Sequence, residues 1–348
     1  MTGPQPAVLL RGGGVSVATC AHLLAQDGFC LTGAAVEPRA PVPVIMLSDP
    51  ALALLRDIFG QPRLFAALPR IERRVVSWGG SVSAPLPHGA AVVTGAQIEA
   101  ELGRPALPAA FPSAASEAAQ PFTIHGAPPF PQPALRRFGT REAVAAPVTL
   151  RAGTDRATCH VEATPEGWLF LIPQGADAAW LLGVGCSPEA LLAQSRLVAP
   201  VIDTLGTAGA RFETAPRLLD QLAGPDWIAC GTAAIAFDPI CGDGTAQAAR
   251  EAILAAAVLA AIRDGGDREA LLAHYRAMLI ASMRRHLQVS LPFYRSGGDT
   301  PWWREQTEAL AQGHAWCTGQ LARVPEPRFV LRGNRLFALG LGPIALAF

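Results

Sequence analysis

Two loops in this chain join glycines to the start of a helix, an arrangement suited to an anion or an electron-rich planar group. The later one lies in GTAAIAFDPICGDGTAQAAREAILAAAVLAA, from Gly231 onward. A short apolar run, Trp227-Ile228-Ala229-Cys230, leads into it. Asp238-Pro239, Gly242 and Gly244 follow, and an alanine-rich helix is predicted to begin near Thr245. A helix N-terminus offers unpaired N–H groups and the positive end of the helix dipole. Glycines let the backbone approach whatever is bound there.

The earlier loop lies at the N-terminus. Ala7-Val8-Leu9-Leu10 reads as a buried parallel strand, followed by Arg11-Gly12-Gly13-Gly14. Val17, Ala21, Leu24 and Ala25 then recur at helical spacing, and Gly28 is a natural stop. Strand, glycine turn and helix form the context of a dinucleotide fingerprint. A second strand over about Phe29–Val36 ends at Glu37, close to the ~20 residues expected before a ribose-binding acid. Gly12 and Gly14 fit the first two glycines of G-x-G-x-x-G, while Val17 stands at the third. That position normally allows helix and strand to pack closely, so a β-branched residue there demands repacking. An α/β turn that binds nothing is the plain alternative.

These loops need elements to hold them. Half of the 348 residues are hydrophobic, enough for a large core. The formal net charge is zero and no long basic run occurs, which argues against nucleic acid as a partner. All 28 basic residues apart from histidine are arginine; there is no lysine. No apolar run reaches the ~18 residues of a membrane span without interruption, and the N-terminus lacks the pattern of a signal peptide. The seven cysteines are scattered and none forms a CxxC pair, as in a protein of the reducing cytoplasm without a zinc site. A cytoplasmic, membrane-free protein is therefore expected.

Residues 1–40 read as β-α-β, and 49–59 as a short helix. Strands are predicted over Arg74–Trp78 and Ala90–Thr94, with a short helix near Gln97–Leu102. The Pro-, Ala- and Ser-rich stretch 103–136 reads as an irregular connection. From 147 to 185 four strands follow, VTLRA, ATCHVEAT, GWLFLIP and AAWLLGVG, then helices at about 187–206. Helices at about 246–263, 267–288 and 302–319 precede a strand pair near 328–338. The expected fold class is mixed α/β: a Rossmann-like nucleotide-binding domain with an inserted antiparallel β-sheet domain and C-terminal helices. The expected divisions are 1–146, 147–224 and 225–348.

The loop at 238–244 resembles the C-terminal flavin motif of FAD-dependent aromatic hydroxylases and tryptophan-halogenase-like flavoproteins, GDxxxxxDPxxGxG. Gly231-Thr232 stands where that motif has Gly-Asp. GWLFLIP (167–173) is similar to the GWxWxIP segment of flavin-dependent halogenases, with Phe170 for the second Trp. FGTREA (138–143) and FYRSGGDTPWWREQ (293–306) resemble further segments of this p-hydroxybenzoate hydroxylase-like fold, nearest the branch that matures tryptophylquinone cofactors.

The resemblance implies an FAD-dependent, monooxygenase-like oxidoreductase that hydroxylates an aromatic ring, a peptide tryptophan included. The alternative is a degenerate flavoprotein fold serving as a binding or maturation partner without turnover. Gly12, Gly14 and Glu37 would hold the dinucleotide. Thr232 would meet the ribityl chain without a charge. Asp238, Pro239, Gly242, Gly244 and Thr245 would face the flavin ring, and Arg141 would contact flavin or phosphate unless it forms a structural ion pair. Trp168, Phe170 and Trp302 are candidates for the substrate wall, with core packing the competing role. Halogenation by the family's route needs a lysine, which this chain lacks. No second dinucleotide fingerprint is present, so electrons would come from a transiently bound nicotinamide or a separate flavin reductase; the resemblance to the halogenase-like branch favours the reductase as a partner beside the aromatic or peptide substrate. His274 and His286, beside Arg284 and Arg285, read as solvated face, and His314 is the histidine to test as an acid or base.

Overall fold

In the computed structural model, residues 6–34, 36, 42–102, 121–209, 211–242, 244–324 and 329–339 are described. Glu37 and much of the 103–136 connection lie outside them.

The N-terminal pattern folds as its periodicity predicts. Ala7–Arg11 buries Val8 and Leu10, and the helix Gly14–Gln26 buries its apolar stripe. Gly28, at φ +77°, ends that helix, with its N–H on the Ala25 carbonyl and the Phe29 N–H on the Leu24 carbonyl. The strands Cys30–Ala34, Ala7–Arg11, Phe122–His125 and Trp227–Ala229 lie side by side, all parallel, with Ala223–Gly224 as an antiparallel edge. The glycine turn after Arg11 and the turn after Ala229 thus leave the same edge of one sheet, where open α/β sheets bind ligands.

The helix Gly244–Arg263 packs on Gly14–Gln26. Its alanines make this possible: Ala246, Ala249, Ala252, Ala255 and Ala260 are buried on several sides, and small side chains let the two backbones approach. This helix is long and apolar enough to cross a membrane, yet 67% of its apolar window is buried inside the protein, as in a core helix.

The second sheet differs from the expected insertion. Its order is Ile202–Leu205, Glu142–Leu150, Ala178–Val184, Gly167–Gly175, Thr158–Thr164, Arg70–Trp78, Leu86–Val93 and Ile45–Ser48. Strands from 45–93 therefore share one sheet with those after 142, and boundaries at 147 and 224 do not separate the sheets. Nor is this sheet wholly antiparallel: Thr158–Thr164 runs parallel to Arg70–Trp78, joining two antiparallel blocks. The stretch 187–206 is not helical throughout either. After the five-residue helix Pro188–Leu192, the Glu162 carboxylate collects the N–H groups of Arg196, Leu197 and Val198, and Ile202–Leu205 then joins the sheet edge.

The strand Gly167–Gly175 is buried on both faces over its first seven residues. Alternation sends Trp168, Phe170 and Ile172 into the main core, and Leu169 and Leu171 into a smaller cluster with Leu191 and Val198. The helices Arg268–Gly297 and Pro301–Leu321 pack on each other. Trp303 is fully buried there, its indole N–H donating to the Thr164 carbonyl at 2.8 Å.

Candidate functional site: a glycine cradle, a locked return loop and a cationic cavity

Gly12 and Gly14 sit at φ +113° and +76°, a region that strains any side chain. Gly13 is the N-cap of the helix that follows; it supplies no side-chain cap, and the first turn carries no acidic residue. A Cβ placed on Gly13 or Gly14 would meet nothing within 4 Å. The helix N-terminus therefore opens onto free space, with N–H groups and dipole directed at it, as a pyrophosphate requires.

Val17 is accommodated by a glycine on the other partner. It is buried, and its Cγ2 occupies the place where a Cβ of Gly126 would stand. Close packing of helix on sheet is kept by moving the small residue to the end of Phe122–His125. Gly126→Ala should cost about 1–3 kcal/mol through overpacking. Val17→Ala should cost about 1–2 kcal/mol through lost burial. The double variant should be more stable than the sum of the two costs implies, as read by urea unfolding; strict additivity would mean that the two do not touch.

The return loop is built around Asp238, which is 2% exposed. Its Oδ1 accepts the Ile240 N–H at 2.9 Å. Its Oδ2 accepts from Arg141 Nε at 3.0 Å and from the Tyr294 hydroxyl at 2.7 Å. Its own N–H donates to His286 Nε2 at 2.9 Å, which puts the proton of a neutral imidazole on Nδ1. Arg141 is also buried. Its Nη1 donates to Gln306 at 2.9 Å, and its guanidinium lies 4.5 Å from the Tyr294 ring centre. Arg141 and Asp238 are thus turned to each other as a buried ion pair, with Arg141 Nη2 left buried without a hydrogen-bond partner. Burial raises the Tyr294 phenol well above its ordinary pKa and keeps it a donor.

Thr232 is exposed at the turn that follows Trp227–Ala229. A carboxyl group from another element does reach the residue before it: Glu251 Oε2, on the alanine-rich helix, accepts the N–H of Gly231 at 2.9 Å. Glu251 is 2% exposed, and burial raises its pKa to about 8 against the pull of the Gly231 N–H and Gln247. Gly244 is exposed at the start of that helix, with open space around it, and Thr245 is half-buried beside it.

Between the return loop, the large sheet and the helix Arg268–Gly297 lies a cavity of about 700 Å³. Trp168 and Phe170 line it from the sheet, and Pro239 and Gly242 from the loop. Trp168 is otherwise enclosed, its indole N–H donating to the Tyr294 hydroxyl at 3.2 Å. Trp302 does not line this cavity. It packs against the Tyr294 and Trp303 rings and over Gly185. His314 is also away from it. His286 and His274 are buried rather than solvated, and His286 stacks on Phe237 at 4.4 Å within the cavity wall. Sequence reasoning missed Gly126, Glu251, Tyr294, Gln306, Arg74 and His88. Only Gly126 left a signal, since a valine at the third glycine position calls for a glycine opposite.

Comparison with known protein families gives no match, and neither does comparison with curated proteins. Solved structures do match. QhpG, a peptidyl tryptophan dihydroxylase essential for tryptophylquinone cofactor biogenesis, is 18% identical over 97% of this chain and 86% of its own, with a TM-score of 0.69. CmlS, a flavin-dependent halogenase, is 16% identical over 92% of this chain and 72% of its own, with a TM-score of 0.73. The myxobacterial chondrochloren halogenase CndH is 15% identical over 93% of this chain and 92% of its own, with a TM-score of 0.65. The chain has the fold of the flavin-dependent halogenases and of QhpG, a Rossmann-type layer joined to a large β-sheet.

Proposed function

We propose that the chain is an FAD-dependent, monooxygenase-like oxidoreductase that hydroxylates an aromatic ring. The observation that carries this reading is the open helix start at Gly13–Gly14 on the same sheet edge as a return loop that walls a cavity lined by Trp168 and Phe170. The net reaction places one atom of O₂ into a ring C–H bond and releases the other as water. Bound FAD, once reduced, supplies the two electrons and the activation of oxygen.

The chain's own residues bind and orient. Gly12, Gly14 and the N–H groups behind them cradle the pyrophosphate, and Glu37 is the acid placed by spacing for the ribose. Thr232 faces the ribityl chain. Pro239, Gly242, Gly244 and Thr245 form the side of the loop nearest the ring. Arg141 and Asp238 hold that loop rigid. Trp168 and Phe170 offer an aromatic wall to the substrate ring. The ring belongs to a small aromatic molecule or to a tryptophan in a peptide, the substrate class that QhpG's name gives for that protein. Electrons come from a separate reductase or a transiently bound nicotinamide, and the reading places the protein in the cytoplasm.

Thr232, in place of an acid, favours a second reading, a flavoprotein fold kept for binding without turnover. The spectrum of the purified full chain separates the two. The visible absorption of oxidised flavin, released on denaturation as FAD, is the expected result. A protein that stays colourless with excess FAD would sink the enzyme reading.

A further inference from the structure

We propose that the cavity takes an aromatic ligand bearing a carboxylate, and that Arg74 receives that carboxylate. The proposal rests on reading the cavity as the substrate chamber. Arg74, Arg250, Arg285, His88 and His286 line it, and among the described residues no aspartate or glutamate does. A cavity with this lining concentrates anions.

The strand Arg70–Trp78 singles out Arg74. Arg70 is paired with Asp49 at 2.5 Å and Arg73 with Asp155 at 2.8 Å. Arg74 points to the face opposite Arg73 and lines the cavity. It is half-buried, its Nε is buried without a partner, and it has no ion pair among the described residues. A buried N–H without an acceptor is costly, and a carboxylate matches the planar fork of the group that carries it.

His88, on the neighbouring strand Leu86–Val93, also lines the cavity with a buried, unpartnered Nε2. Burial, then the charge of Arg74, lowers its pKa, against a weaker pull from Asp49. It is therefore neutral near pH 7 and offers an N–H donor instead of a second positive charge. One guanidinium beside one neutral imidazole suits a singly charged, two-oxygen acceptor. Trp168, Phe170 and Phe237 supply flat apolar surface for the attached ring.

Two sources could supply the carboxylate: a free aromatic acid, or an acidic residue beside an aromatic one in a peptide. Calorimetric titration of the full chain separates them with two pairs of probes. The first pair is indole-3-acetate and indole-3-acetamide; the second is N-acetyl-Asp-Trp-amide and N-acetyl-Asn-Trp-amide. In at least one pair the acid should bind about 10–100-fold more tightly than its neutral partner, as expected of a charge-assisted hydrogen bond out of bulk water. Arg74→Gln should abolish that preference, Arg74→Lys should retain part of it, and Arg285→Gln, on the exposed helix face, should change it less than Arg74→Gln does.

Equal binding within both pairs, or no binding of any probe, overturns the proposal; this wild-type comparison stands even if an Arg74 variant fails to fold. A preference that survives Arg74→Gln in a variant with an unchanged melting curve also overturns it. The flavin reading fails separately. A colourless protein that still prefers the acid loses flavin and keeps the carboxylate site. A yellow protein blind to the acid does the reverse.

Discussion

Arg141→Met should lower the unfolding free energy by about 3–5 kcal/mol, because it leaves Asp238 as an uncompensated charge in the core. The side chains of both partners are fully buried, with 3.0 Å between Nε and Oδ2. The variant also loses the contact with the Tyr294 ring and leaves Gln306 without its donor. Lysine is no remedy: one ammonium cannot reach Asp238 and Gln306 in the geometry of the guanidinium fork, so Arg141→Lys should also cost more than 1 kcal/mol. Adding Asp238→Asn to Arg141→Met should recover part of the loss, since the amide oxygen still accepts while the orphaned charge disappears. Urea unfolding at neutral pH measures all three. A loss below about 1 kcal/mol for Arg141→Met would mean that Arg141 is free to serve a ligand, and the loop would need another explanation for its shape.

Glu251 should make the protein less stable as pH rises. In the unfolded chain its carboxyl releases a proton near its ordinary value of 4.5, but in the folded protein only near 8. Between those limits the folded state holds the extra proton, so raising the pH favours unfolding. The accumulated cost above pH 8 is on the order of 5 kcal/mol. Glu251→Gln keeps the acceptor for the Gly231 N–H and removes the titration. Its unfolding free energy should match the wild type near pH 4 and exceed it by several kcal/mol near pH 8. Identical pH profiles for the two proteins would show that Glu251 is solvated or ionised in the folded state. The effect bears on the site, because Glu251 is what holds the turn at Gly231.

The parts of this fold that were legible in the sequence are those set by local periodicity and punctuation. The helix 49–59 was read to its ends from DPALALLRDIF, with an Asp at its start, and in the structure Ser48 caps it, Pro50 opens it and Gly60 closes it in a left-handed conformation. The glycine turn and the return loop were found because their chemistry demands particular residues in order. Long-range pairing was not legible. Nothing local to RIERRVVSW says that it will lie against Thr158–Thr164, more than eighty residues on. His286 was misread for a related reason. Arg284 and Arg285 mark that stretch as polar, but its burial is decided by Phe237 and Asp238, which meet it from another part of the chain. Arg141 carried both readings in the sequence, and its ion pair came to light only with the position of Asp238. Arg74 gave no sign at all, since its distinction lies in lacking the partner that Arg70 and Arg73 have.

The parallel pairing of Thr158–Thr164 with Arg70–Trp78 in the large sheet also bears on how the chain is made. When the ribosome has released residues 45–93, Arg70–Trp78 has its neighbour Leu86–Val93 on one side and nothing on the other. That edge stays open until Thr158–Thr164 emerges, several seconds later at ordinary rates of synthesis. A bare edge strand invites pairing with another nascent chain. This one carries Arg70, Arg73 and Arg74 along it, and charge on an open edge discourages such pairing. The arginines of this strand thus guard the unfinished protein before any ligand is in reach, and a neutral residue at all three positions would tax expression before it touched activity.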